Sequence, residues 1–441
     1  MRIVIAGATG FLGGALAAQF TRSGHELLCT ARDPVAAARG AGWPQTRTQW
    51  LAVDFDAVPP PSFWSAHLLP GDVVINAVGL LRESHRGAFA AVHHEGPVRM
   101  FEACAASGVA FVVQISALGA NEEAVTGYHR SKASADVHLR RLPLASAIVQ
   151  PSLVWGDEGA SAQLFAALAV LPVLALPGGG RQVLQPVHIE DLVAGVAALV
   201  AQQPAGTRTL AFVGPRPLSF KDYLQDLRVQ LGHRRRQLLV PLPESIFLSM
   251  GKVAGHWRKS FLDRDTARML LAGNVAPADD FAALLGRPPR EPEHFVAPEQ
   301  AEALRRASWL VWMLPALRLA IAFVWIWTFL VSIGLYPRDR SLELLARVGI
   351  AGAWAQPALI GAACCDLALG IATFMVAARG RARWLWPLQL ALIAFYTAAI
   401  SIAMPEFWLH PFGPLSKNLP MCAAIVLLWA LDTGQRRGSH R

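Results

Sequence analysis

The opening run, Ile3-Val4-Ile5-Ala6-Gly7-Ala8-Thr9-Gly10-Phe11-Leu12-Gly13, constrains the fold of this chain more than any other stretch. A short β-branched run closed by glycine reads as a buried parallel strand. Gly7, Gly10 and Gly13 then mark a tight turn into a helix running towards Ser23, with Gly24 placed to end it. Such a turn suits a pyrophosphate. The first glycine permits the turn, the second lets the backbone approach the phosphates, and the third lets helix pack on strand, while N–H groups at the helix start face the anion. Gly7, Thr9, Gly10, Phe11, Leu12 and Gly13 are therefore the first candidate cofactor-binding residues. Plain helix packing uses the same spacing; the strand before and the helix after favour the nucleotide.

A second strand, Glu26–Ala31, ends at Arg32. An acid at this place takes a ribose 2′-hydroxyl, whereas an arginine suits a 2′-phosphate, so Arg32 favours NADPH over NADH. A solvated arginine opening a loop is the alternative. Asp54, which closes Leu51-Ala52-Val53, is either an adenine-side contact or a turn residue. The stretch from Asp72 to Ile75 is another strand, and Asn76, Ala77, Val78 and Gly79 form a second glycine turn and join the cofactor-binding set. A helix from Arg99 to Ser107 ended by Gly108, then a strand from Phe111 to Ser116, continue the alternation. That alternation predicts an α/β fold, a doubly wound parallel sheet with ligand at the carboxyl ends of its strands, where Gly7, Asn76 and Ser116 fall. His93 and His94 are read as packing or surface residues, and no metal site is expected.

Tyr128-His129-Arg130-Ser131-Lys132 carries the candidate chemistry. Residues four apart share a helix face, so phenol and ammonium point into one cleft. A cation beside a phenol favours phenolate and gives a proton donor and acceptor for carbonyl–alcohol interconversion. Lys132 is also placed to hold the nicotinamide ribose.

The composition excludes an ordinary soluble protein: 54% of residues are hydrophobic and only 16% charged. The apolar surplus lies after Trp309. Leu319–Leu335, Gly349–Ala378 and Trp384–Met404 are each read as a membrane span, with a weaker fourth from Leu419 to Leu431. Trp325, Trp327, Trp384, Trp386 and Trp408 are expected as interfacial anchors. Asp366 lies within the second span, where a carboxylate is expensive unless paired or hydrated. Glu406, His410 and Lys417 are expected to form a polar patch at one membrane boundary. The formal charge is +9, but zinc spacings, recognition-helix patterns and aromatic-laced basic stripes are missing, which argues against nucleic acid. The basic residues instead border apolar segments, as at an anionic membrane, and place both termini in the cytoplasm of a bacterial-type inner membrane. Five scattered cysteines predict no disulfide framework, and Ile3 already belongs to the fold, so no signal peptide is expected. Between the two regions, Ser245–Phe261 reads as either an amphipathic surface segment or a packed helix. The expected domains are 1–290, a linker over 291–308, a membrane domain over 309–432 and a basic tail over 433–441.

Gly7 to Gly13, Asn76 to Gly79, Tyr128 with Lys132, and the run from Gln150 to Gly156 resemble the short-chain dehydrogenase/reductase superfamily in its extended or atypical branch. The run Ile115–Ala120 with Leu184–Asp191 resembles the branch containing the dehydrogenase-like accessory subunit of respiratory complex I. This resemblance implies NAD(P) binding, Tyr128 as acid/base, Lys132 as its partner and Ser116 as a substrate-orienting hydroxyl, although the family's hydroxyl often sits where this chain has Ala117 and Leu118. Pro405–Pro414 and Lys417–Pro420 are similar to the DoxX-like membrane family, whose relatives include quinone-linked subunits. Two functions follow as expectations. One is a membrane-anchored NAD(P)H-dependent oxidoreductase acting on a carbonyl, alcohol or lipophilic substrate, quinones included. The other is a non-catalytic nucleotide-binding scaffold or assembly factor working with the subunits of a membrane complex.

Overall fold

The computed structural model describes residues 1–254, 263–379 and 384–438 and divides into two units, Met1–Ser308 and Trp309–His440. In the first, strands β1 (Arg2–Ala6), β2 (Glu26–Ala31), β3 (Thr48–Ala52), β4 (Val73–Asn76), β5 (Phe111–Ile115), β6 (Ser146–Pro151) and β7 (Thr207–Phe212) form one sheet. Its order is β7-β6-β5-β4-β1-β2-β3, and every pairing is parallel. Winding therefore reverses between β1 and β4. That reversal leaves a crevice at their carboxyl ends, the place where ligands settle in such sheets.

Both faces are buried, which is why the strands read as continuous apolar runs. Ile3, Ile5, Ile75 and Val113 face α1 (Phe11–Arg22) and a helix further along the chain, through Leu16, Phe20, Leu192 and Val196. Val4, Ala6, Val74 and Val112 face α2 (Gly96–Ala106) and α3 (Gly127–Arg141), through Met100, Phe101 and Leu139. The first set sits one residue out of step with the second, as the pleat demands. Leu192 and Val196 belong to α4 (Ile189–Gln202).

The start of the stretch expected as a linker, and the residues just before it, lie against this unit. Asp191, fully buried, accepts from Arg287 Nη2 at 2.5 Å and from the Arg290 backbone N–H at 2.7 Å. Trp155 Nε1 donates to the Phe295 carbonyl at 3.2 Å and stacks on its ring at 6.0 Å. Helix α5 (Pro298–Leu330) then begins inside the expected linker. The stretch from Leu164 to Leu176, too short to span a bilayer and read from its apolar run as a core or interfacial helix, is a helix only over Ala160–Val170; after Pro172 it becomes a strand, Val173–Pro177. The amphipathic segment expected over Ser245–Phe261 is helical over Glu244–Ala254, and its Trp257, Arg258 and Lys259 lie outside the described residues.

In the second unit α5 is followed by α6 (Ala355–Arg379), α7 (Leu385–Ala403) and α8 (Asn418–Gly438). Among the described residues, three helical stretches are long and apolar enough to cross a membrane: Pro298–Leu335, Gly352–Met375 and Leu385–Ala403. The fourth expected span falls short, because its apolar part covers only Asn418–Asp432. Several polar groups of this unit are buried between its helices. Trp325 Nε1 donates to Gln389 at 2.9 Å, and Gln389 Nε2 donates to Thr373 at 2.9 Å. Trp325 and Trp386 are therefore buried core residues rather than interfacial anchors, whereas Trp327, Trp384 and Trp408 are exposed. Asp366 is buried, and its Oδ1 has no hydrogen-bond partner among the described residues. Glu406 pairs with Arg347, while the His410 ring accepts from the Phe412 N–H at 3.3 Å.

Gly13 is where α1 comes closest to β1: a Cβ there would lie 2.1 Å from the Gly7 carbonyl oxygen. Gly13→Ala must push the helix away, and we expect it to cost about 1–3 kcal/mol in thermal unfolding and to abolish the fluorescence response to nicotinamide coenzymes. Gly42→Ala, whose Cβ would meet open space, should change stability by less than about 0.5 kcal/mol.

Candidate functional site

The crevice is lined first by the turn after β1. Gly7 has φ +81°, a conformation that favours glycine, and its N–H donates to Thr30 Oγ1 at 3.2 Å. Gly10 occupies the N-cap of α1 without a side-chain cap, and the first turn carries no acid. The helix start is thus free of groups that would compete with an anion or repel it. Thr9 is exposed. The Phe11 ring fills the space above Gly156, where a Cβ would meet it at 2.8 Å, and Leu12 joins the core. Both side chains therefore pack under the turn.

The second turn faces the first across the crevice. Ala77 N–H donates to the Ala6 carbonyl at 2.9 Å, and a Cβ on Gly7 would touch the Ala77 backbone at 3.0 Å. Asn76 is fully buried: its amide donates to Gln114 Oε1 at 2.7 Å and its carbonyl accepts from the Val78 N–H at 3.2 Å. It shapes the turn from beneath. Arg32 stands exposed just beyond β2, at the adenosine end of such a crevice. Asp54 is exposed too, and its carboxylate caps the short helix Phe55–Ala57 by accepting from the Asp56 N–H at 3.1 Å. The structure gives it the turn role.

Helix α3 brings the chemistry. Thr126 caps it by accepting from the His129 N–H at 3.3 Å. Lys132, 4% exposed, donates from Nζ to the Val78 carbonyl at 3.0 Å and to the Ile115 carbonyl at 3.1 Å. A Cβ on Gly79 would come within 3.1 Å of that ammonium, so the glycine leaves room for it. Tyr128, one turn earlier, is half-buried against His93, with ring centroids 5.5 Å apart and edge to face. Burial pushes its phenol up to about 12. Lys132 does not depress it, contrary to the expected phenolate: burial sets the shift, and the ammonium is bonded to two carbonyls.

Below Lys132 lies a group that the spacing alone did not single out. Asp136 is 1% exposed and accepts from Ser116 Oγ at 2.5 Å. Burial raises its carboxyl to about 6, against the opposing pull of the Ser116 hydroxyl and the Lys132 ammonium. Burial likewise lowers Lys132 to about 8, while Asp136 holds it up. Ser116, also buried, thus spends its hydroxyl on an internal carboxylate rather than presenting it to a substrate. His93 is equally internal. Its Nε2 accepts from the Leu80 N–H at 2.8 Å and its Nδ1 pairs with Ser131 Oγ at 2.8 Å, so the proton sits on Nδ1. Burial and the Lys132 charge drive its pKa down to about 2, keeping it neutral. Two signals were available in the sequence: Asp136 follows Lys132 by four residues on a face shared with Leu139, and Thr30 is the one hydroxyl in β2.

The structure therefore gathers Gly7, Gly10, Gly13, Ala77, Val78, Gly79, Lys132 and Tyr128 around one crevice, with Asn76, Ser116 and Asp136 beneath it. The helix Arg264–Ala272 adjoins the Tyr128 end, where Asp265 Oδ2 is 3.9 Å from the position of a Cβ on Gly127 and Arg82 pairs with Asp263 at 3.6 Å. Among the described residues no cluster of His, Cys, Asp and Glu could hold a metal.

Residues 3–211 match the NAD dependent epimerase/dehydratase family, and residues 322–426 match the DoxX-like family. The chain thus combines a region similar to NAD-dependent epimerases and dehydratases with a region similar to DoxX-like proteins. A protein called ceramide reductase, from Caulobacter vibrioides, is 25% identical over 260 residues, which cover 58% of this chain and 78% of that protein. NADH dehydrogenase (ubiquinone) 1 alpha subcomplex subunit 9, mitochondrial, from Mus musculus, is 28% identical over 278 residues, covering 62% of this chain and 72% of that protein. Among solved structures, a nucleoside-diphosphate-sugar epimerase from Staphylococcus aureus superposes with a TM-score of 0.52 at 16% identity, covering 67% of this chain and 99% of that one. MoeE5 in complex with UDP-glucose and NAD gives 0.52 at 15% identity, over 70% and 98%. These last two share the fold.

The Lys132–Asp136 arrangement makes a prediction. Coenzyme affinity that depends on the ammonium should fall as pH rises through about 8. In Asp136→Asn the supporting charge is gone, so the fall should move to lower pH in fluorescence titrations run over roughly pH 6–10. Ser116→Ala, which leaves that charge in place, should move it far less.

Proposed function

We propose that this chain is a membrane-anchored, NAD(P)H-dependent oxidoreductase that reduces a carbonyl group on a lipophilic substrate. The observation that carries this reading is the placement of Tyr128 and Lys132 on one face of α3, beside a glycine turn shaped for a diphosphate. A nicotinamide coenzyme, when bound, supplies the hydride. The residues do the rest. The uncapped start of α1 receives the diphosphate through backbone N–H groups. Lys132, fixed by two carbonyls, offers its remaining proton towards the ribose side of the crevice. Tyr128, with its phenol held neutral by burial, donates a proton to the oxygen that gains charge as the carbonyl is reduced. Ala117 and Leu118 follow Ser116 without a hydroxyl, which suits an apolar substrate better than a sugar. A relative named for reductase action on a ceramide, a lipid, supports that class. Arg32 supports NADPH. The basic residues flanking the spans support a bacterial-type inner membrane with the nucleotide domain on the cytoplasmic side.

A second reading has its own support. Ser116 is turned inward, and the relative from Mus musculus is named as a subunit of NADH dehydrogenase. A nucleotide-binding scaffold for a membrane complex needs the crevice but no substrate-orienting hydroxyl. It would keep its coenzyme, transfer no hydride and co-purify with partner subunits.

Tyr128→Phe separates the two. For the oxidoreductase we expect turnover of long-chain ketones to fall by at least about 100-fold with coenzyme affinity nearly unchanged. Equal turnover in both proteins refutes the phenol's role, and no turnover in the wild type favours the scaffold. Arg32→Ala tests the coenzyme: the preference for NADPH over NADH, measured by calorimetry, should drop by about tenfold or more.

A further inference from the structure

The part of the first unit beyond the seven-stranded sheet carries an apolar face turned outward. Strands Val173–Pro177 and Leu238–Leu242 form a two-stranded parallel ribbon in which Leu238 pairs with Val173 and Val240 with Ala175. Side chains alternate across a ribbon, so these four residues share one face. The opposite face is buried, with Leu174 at 8% and Leu176 at 2% exposure, whereas Val173, Leu238 and Val240 are 49%, 63% and 46% exposed. The chain next enters the helix Glu244–Ala254. There Ile246, Met250 and Val253, spaced to fall on one stripe, are all exposed, while Gly251 on another side packs against the Asp263 backbone. An outward apolar ribbon with open edges is unstable in water unless something covers it.

Charge identifies the cover. Arg234, Arg235 and Arg236 stand exposed immediately before the ribbon. Their turn is held in place: Arg228 Nε donates to the Arg235 carbonyl at 2.7 Å, and Gln237 Nε2 donates to the carbonyls of Leu168 and Leu171 at 2.8 and 2.7 Å. Arg305 Nη1 lies 3.1 Å from the position of a Cβ on Gly232, extending the basic cluster to α5, the helix that carries a candidate membrane span. Between residues 232 and 254 the acidic side is represented by Glu244 alone. Apolar side chains rimmed by arginines match the boundary between acyl chains and anionic headgroups. A second copy of this chain would bring the same arginines against themselves.

We propose that the ribbon and helix formed by residues 173–177 and 234–253 dock on an anionic bilayer surface, with Val173, Leu238, Val240, Ile246 and Met250 entering the headgroup layer and Arg234–Arg236 meeting lipid phosphates. This does not depend on turnover. The test is hydrogen exchange on the full chain reconstituted in nanodiscs of phosphatidylcholine, with or without roughly one third phosphatidylglycerol. Peptides covering 234–253 should exchange at least about fivefold more slowly in the anionic discs, and added salt should reverse the effect. Replacing Arg234, Arg235 and Arg236 by glutamine should remove the difference, while peptides of β1 and β5 report that the fold is intact. Equal rates in both discs overturn the proposal, as does protection that rises with protein concentration whatever the lipid, which would assign the face to a second copy. Should the triple variant fail to fold, the lipid and salt dependence of the wild type decides the matter by itself.

Discussion

The contact between the first helix and the first strand governs the rest of the nucleotide unit. With hydrogen atoms alone at Gly13 and Gly7, α1 lies so close to β1 that its first N–H groups open directly into the crevice. A side chain at either place would lift the helix and close the turn that faces Ala77. Because the sheet reverses its winding between β1 and β4, that crevice is the one place where both glycine turns reach the same volume. The candidate residues from later in the chain then arrive through α3, whose register is set by the Thr126 cap and by Leu139 in the core.

Beneath the crevice the protein accepts an expensive arrangement. An ammonium and a carboxylate, both nearly excluded from water, lie one helical turn apart, and each is shifted towards neutrality by its burial. Buried charges rarely stabilise a fold relative to apolar packing. These two are held by separate hydrogen bonds: Lys132 by the Val78 and Ile115 carbonyls, and Asp136 by the Ser116 hydroxyl. Rigid polar support of this kind fixes where Lys132 presents its charge, which is what a binding site requires and a core does not.

Much of this was legible in the sequence because it is local. The glycine turn, the alternation of strand and helix, and the four-residue spacing of Tyr128 and Lys132 all follow from short-range periodicity. The destinations of side chains were not legible. Ser116 has the right place on its strand, but only the packed sheet and α3 show its hydroxyl meeting Asp136. Trp325 and Trp386 look like interfacial anchors when judged by their flanks, yet inter-helix hydrogen bonding and packing draw them inside. The Leu-rich stretch before Leu176 hid a change from helix to strand at Pro172, since an apolar run of that length fits either. The fourth apolar helix, already the weaker reading of the four, has a run that ends at Asp432, and Arg318 pairs with that carboxylate.

The segment around residues 287–296 bears on where the chain can be divided. Judged by its prolines it invites a cut near residue 290, yet Arg287 and the Arg290 backbone neutralise a wholly enclosed Asp191, and Phe295 covers Trp155. A fragment ending before these residues would keep every strand of the sheet and still carry a stranded charge and a bared indole, a defect worth about 3–5 kcal/mol for the carboxylate alone. Protease sensitivity in so shortened a piece would report the missing buckle rather than any weakness of the sheet.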